Sequence, residues 1–170
     1  MELIDIVPEF NLYEEYWKIY TKQNALPPQY ISGDSVVEKC IIGEGSSIYG
    51  EVYCSVIGCN VTIEKGAVVR DSIIMNNTVV GAGTQLNKAI VAENVVIGSN
   101  CKLGVGEEAV SEYDSRIYTD GLVTLGEKTV IPDNVSIGKN TVIFGETTPE
   151  DYPDNWLASG KAIIKEGDQV

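Results

Sequence analysis

The stretch SVIGCNVTIEKGAVVRDSIIMNNTVVGAGTQLNKAIVAENVVIGSNCKLG, residues 55–104, decides the fold. Aliphatic residues return in it at every sixth position within three series: Ile57, Ile63, Val69; Ile74, Val80, Leu86; Val91, Ile97, Leu103. The pattern continues upstream at Ile42 and Ile48. Downstream it resumes at Leu125, Ile131, Ile137 and Ile143, giving fifteen hexads in all. Seven of them place glycine directly after the aliphatic residue: Gly43, Gly58, Gly81, Gly98, Gly104, Gly126 and Gly138. A helix needs a period near 3.6 and a continuous strand a period of 2. A period of six fits neither. It fits a short strand that points aliphatic side chains inward and then turns a corner, where Gly and Asn tolerate unusual φ/ψ.

Three hexads make one triangular coil of about 18 residues, and coils stack at the inter-strand spacing of about 4.8 Å. Fifteen hexads therefore predict about five coils. The segments CIIG (40–43), SVIG (55–58), SIIM (72–75) and AIVA (89–92) repeat at intervals of 15, 17 and 17 residues, one coil each. The fold class is mainly β, a single-stranded solenoid. Its handedness does not follow from periodicity.

The flanks differ in kind. Residues 1–34 carry no hexads. Asn11 with Glu14 reads as a capping box opening a helix over about 11–22, with Leu12, Tyr16, Ile19 and Tyr20 on one side. Pro27 and Pro28 then mark an extended linker. The solenoid is assigned to 35–145, with an inserted loop at 107–120. Residues 146–170 form a C-terminal cap or tail, which would shield the open end of the stack.

Composition narrows the function. The 170 residues are 44% apolar, and 12 Lys+Arg against 25 Asp+Glu give a formal charge of −13. No basic surplus exists to displace phosphate counterions or to sit on an anionic bilayer, so neither nucleic acid nor membrane is an expected partner. No apolar run reaches the ~18–20 residues of a membrane span. The acidic start MELIDIVPEF is not a secretion signal. The four cysteines (Cys40, Cys54, Cys59, Cys101) lack CxxC spacing and read as reduced packing residues, so a cytoplasmic location is expected. The chain has no histidine. Ser–His and Cys–His nucleophile pairs and His-ligated zinc are thereby excluded within it. No phosphate loop and no DxDxDG spacing occurs, so no catalytic, cofactor-binding or metal residue is assigned.

Sorting the residues that precede each inward position sorts the prism faces. Ile41, Val56, Ile73 and Ile90 stack on one face as a continuous aliphatic stripe. Such a stripe calls for a partner, another domain or another subunit; high β-propensity on a wet face is the competing reading. Ser47, Thr62, Val79 and Val96 make a mixed face, and Val68, Gln85 and Lys102 a more solvated one. Along one corner, Lys39, Arg70 and Lys88 gather positive charge in an otherwise acidic chain. They read either as an edge for an anionic effector or as a solvated edge with an Arg70/Lys88–Asp71 pair.

The repeat is similar to hexapeptide-repeat solenoids, which implies a left-handed β-helix. The acyltransferases and carbonic anhydrases of that fold work through histidines that this chain lacks. A closer resemblance spans essentially the whole sequence: MELIDIVPEFNLYEEYWKIYT, LPPQYIS, CIIGEGSSIYGEVYCSVIG, VVRDSIIMNNTVVGAG, GLVTLGEKTVIPDNVSIGKNTVIFG and YPDNWLASGKAII. These resemble the C-terminal part of bacterial glucose-1-phosphate adenylyltransferases (ADP-glucose pyrophosphorylases). The resemblance implies that 1–34 is the tail of a catalytic domain plus linker. It implies a parent reaction of ATP and glucose 1-phosphate giving ADP-glucose and pyrophosphate, with Mg²⁺, in glycogen biosynthesis. None of that family's nucleotide, metal or sugar-phosphate motifs matches here, so the chain alone is expected to be inactive. The implied partners are its own catalytic domain, like subunits in a homotetramer, and a sugar-phosphate or nucleotide effector near Lys88. The alternative is a free-standing, non-catalytic binding scaffold of the same repeat.

Overall fold

In the computed structural model, residue 16 and residues 25–165 are described. The helix expected over 11–22 lies outside the described residues, Tyr16 apart. Residues 25–165 form a parallel β-solenoid, and the helical turns among the described residues are two 3-10 turns, Pro149–Asp151 and Pro153–Asn155.

Every third strand pairs in parallel, so the chain builds three flat faces. The first face stacks Tyr30–Ile31, Ser47–Ile48, Thr62–Ile63, Val79–Val80, Val96–Ile97 and Val130–Ile131. The second stacks Val36–Glu38, Glu51–Tyr53, Val68–Arg70, Gln85–Asn87, Lys102–Val105, Ser136–Gly138 and Trp156–Leu157. The third stacks Ile41–Ile42, Val56–Ile57, Ile73–Ile74, Ala89–Val91, Val123–Leu125, Thr141–Phe144 and Ala162–Ile164. This is the architecture of a left-handed β-helix.

Inward residues are sealed. Ile48, Ile63, Val69, Val80, Val91, Leu103, Leu125, Ile137 and Ile143 are all 0% exposed. Each such side chain contributes about 1.5–3 kcal/mol of hydrophobic stabilisation. Buried hydroxyls join the coils between them. Ser72 Oγ donates to the Arg70 carbonyl (2.6 Å) and accepts from the Ala89 N–H (3.0 Å) one coil later.

The ladders run past 35–145 at both ends. Tyr30–Ile31 pairs with Ser47–Ile48, and Ala162–Ile164 pairs with Thr141–Phe144. Six full coils and part of a seventh result, against the five counted from hexads. The extra strands carry inward aliphatic residues at the same six-residue spacing, Ile31 and Val37 in the first coil and Leu157 and Ile163 in the last, which the hexad count passed over. The first coil is the open one, with Ile31 46% exposed where Ile48, its ladder partner, is 0%. The sequence reading also passed over Val52, an inward core residue at 0% exposure. The corner before it is two residues shorter than elsewhere, which gives the 15-residue interval. Gly50 makes that corner possible, since a Cβ there would collide with the Ala67 carbonyl oxygen.

The insertion leaves after Val105 and returns at Val123, between the second and third faces. At the C-terminal end, Glu146 bridges to Val130, and Tyr152 is buried with its hydroxyl 2.8 Å from Thr147 Oγ1. Burial pushes the Tyr152 phenol up to about 12.

Candidate functional site

The third face carries the aliphatic stripe. Ile41 pairs with Val56, Val56 with Ile73, and Ile73 with Ile90, so the four side chains form one unbroken column of rungs. All four are half-buried, covered on their flanks by one another but open outward. The column continues through Thr124 and Val142. Val142 is fully buried although it points away from the core. The sequence reading stopped at Ile90 because the insertion breaks the repeat there.

The cationic edge is less concentrated than its residues suggested. Lys39 (φ 52°) and Lys88 (φ 56°) both occupy the left-handed corner between the second and third faces, with Cys54 and Asp71 on the intervening coils. Three coil steps separate the two lysines, about 14 Å at the strand spacing. Arg70 stands next to Lys88, whose backbone N–H donates to the Arg70 carbonyl (3.1 Å). The Arg70 guanidinium lies 4.1 Å from the centre of the Tyr53 ring, its ladder partner one coil earlier. The Tyr53 hydroxyl in turn donates to the Glu51 carboxylate (2.8 Å), which raises its pKa. Among the described residues, no carboxylate lies within 4.0 Å of Lys39, Arg70 or Lys88, so the Arg70/Lys88–Asp71 pair does not form. Arg70 and Lys88 are brought together; Lys39 is not. Tyr53 was missed because its role appears only when residues 17 apart are laid side by side.

No cluster of three or more His, Cys, Asp or Glu able to hold a metal is present among the described residues. No described helix is long and apolar enough to cross a membrane.

The comparisons with known proteins bear on this geometry. Residues 30–125 match the family model described as GlmU-like, C-terminal hexapeptide. The chain belongs to this hexapeptide family. The matched span runs from the first strand of the solenoid to the return of the insertion. Among its relatives, the glucose-1-phosphate adenylyltransferase of Lachnospira eligens is 60% identical over 168 residues, covering 99% of this chain and 40% of that protein. The enzyme of the same name from Acetivibrio thermocellus is 42% identical over 168 residues, covering 99% of this chain and 39% of that protein. That of Thermotoga neapolitana is 49% identical over 164 residues, covering 96% and 39%. The hexapeptide chain thus spans about two fifths of the length of the curated relatives it matches.

Proposed function

We propose that this chain is the β-helix module of a glucose-1-phosphate adenylyltransferase, serving assembly and regulation rather than chemistry. The observation that carries the reading is the 60% identity to the Lachnospira eligens enzyme over 99% of the chain, a match that takes in the flanks as well as the repeat. The parent reaction, ATP and glucose 1-phosphate giving ADP-glucose and pyrophosphate with Mg²⁺, would be carried by other parts of that enzyme. The sequence here has no histidine, and no metal-holding cluster occurs among the described residues.

Within this reading, the column Ile41, Val56, Ile73 and Ile90 docks against other parts of the assembled homo-oligomer. A stripe of half-buried aliphatic residues on a flat β face loses its remaining water contact when covered. Arg70 and Lys88 are the pair that meets an anionic effector, a sugar phosphate or nucleotide. They sit on adjoining coils, and among the described residues no carboxylate lies within 4.0 Å of either. Lys39 stands too far along the edge to share that anion.

The test is an exchange. Replacing the matching segment of the Lachnospira eligens enzyme with this chain should leave an assembled protein that forms ADP-glucose. A folded chimaera that stays unassembled and makes none would overturn the reading in favour of a free-standing scaffold.

A further inference from the structure

The insertion after Val105 is held in an unusual way. Its apolar side chains are not what fasten it: Val110 is 79% exposed, Ile117 61% and Tyr113 55%. Polar anchors do the fastening. Asn140, itself 5% exposed, grips both ends, since its Nδ2 donates to the Ala109 carbonyl (2.8 Å) and its Oδ1 accepts from the Gly121 N–H (2.7 Å). Glu112 reaches the last coil. Its carboxylate accepts from Lys161 Nζ (2.7 Å) and from the backbone N–H of Ala162 (2.9 Å), and its own N–H donates to the Gly160 carbonyl (2.8 Å). Lys139 and Glu108 add a looser ion pair at 3.7 Å.

These anchors bracket one place on the third face. Asn140 lies two residues before Val142, and Ala162 is the ladder partner of Val142. Val142 points outward, is 0% exposed, and is not packed into the main core. Beside it on the column, Thr124 Oγ1 is buried with no hydrogen-bond partner among the described residues. An outward valine with no water contact and a trapped, unsatisfied hydroxyl are what a cover laid over a β face produces. The hydroxyl would regain a partner if the cover lifted.

We propose that the insertion is a latched strap over the lower third face, with Glu112 and Asn140 as its latches. Released, it adds the Thr124 and Val142 rungs to the open column that ends at Ile90. Because few apolar contacts secure it, the strap opens without unfolding the solenoid. The inference stands on these contacts alone and does not depend on the adenylyltransferase reading.

Thiol labelling tests it on the full chain. In a Val142→Cys variant, the new thiol is followed by mass spectrometry beside the native Cys101, which is 0% exposed in the core and reports global opening. Adding Glu112→Gln, or separately Asn140→Gly, should speed labelling at position 142 by about tenfold or more relative to Cys101, the scale of a lost charge-assisted or buried hydrogen bond. Glycine at 140 keeps the left-handed backbone (φ 55°), so only the amide contacts are lost. An unchanged ratio, or equal acceleration at both thiols, would show that no separate strap motion exists.

Discussion

Gly81 follows the inward Val80 as hexad glycines do, yet its φ is not positive. It is there because the next coil comes close: a Cβ would lie 2.6 Å from the carbonyl carbon of Gly98 and 2.7 Å from the Ser99 nitrogen. Gly43, Gly58, Gly98, Gly126 and Gly138 likewise lack positive φ and face close neighbours, and Gly104 (φ 80°) is the exception among the seven. The left-handed conformations fall instead on corner residues such as Asn60, Asn77 and Asn94 (φ 56°, 57°, 59°). The expectation that the hexad glycines serve unusual φ/ψ therefore needs correcting: they serve proximity, and asparagines serve the turn. Gly81→Ala presses on backbone that cannot yield, and it should lower the melting temperature by roughly 3–10 °C, the result of ~1–3 kcal/mol of overpacking. Tyr152 gives a second residue-scale prediction. Its phenol titrates near 12 when folded and near 10 when unfolded, so the folded state holds the proton more tightly. Stability is therefore unchanged below about pH 10 and falls by about 2–3 kcal/mol as pH rises to 12. Urea unfolding midpoints across that window should show the fall, and Tyr152→Phe should remove that part of it.

At the scale of the strand and its corner, the hydroxyl columns fix how coils sit on one another. Ser55 donates to the Tyr53 carbonyl (2.7 Å) and accepts from the Ser72 N–H (3.2 Å), and Ser72 repeats the motif toward Ala89. Ser72→Ala strands the buried Ala89 N–H and should cost about 1–3 kcal/mol in chemical denaturation. Most of the strands were legible in the sequence, because a rung without an inward aliphatic residue leaves a hole, and fourteen of the fifteen predicted positions lie in the buried core. The fifteenth, Ile42, packs against the core from the half-open first coil. The apolar column was legible for the same reason: hexads fix the register, and register fixes which residues stack. What lay beyond reading were the contacts that only folding brings together. Glu112 meets Ala162 across 50 positions, and Asn140 meets Ala109 across 31. No local pattern announces a side chain that replaces the next coil's backbone. The Arg70–Tyr53 contact was hidden likewise, since it belongs to a column of strand-end residues with no periodic apolar signal.

For the molecule as a whole, chemistry is unevenly spread. The three faces present a mixed column, a solvated column and one aliphatic column, and the formal charge is −13. A chain this acidic repels its copies at long range, so assembly must rest on a short-range apolar contact. The third face supplies one, bounded at its lower end by the insertion. The open first coil, with Tyr30, Ile31 and Val36 exposed, adjoins the opposite end of the column, at Ile41. On the proposed reading, function resides in what the third face of this solenoid docks against. The most direct measurement is the sedimentation mass of the Lachnospira eligens chimaera with and without Ile73→Asp. The unmodified exchange should sediment as the native oligomer. The aspartate, buried against an apolar partner without a counter-charge, should drive it to smaller species while the solenoid itself remains folded. The same oligomer mass and melting temperature in both proteins would contradict docking through the third face.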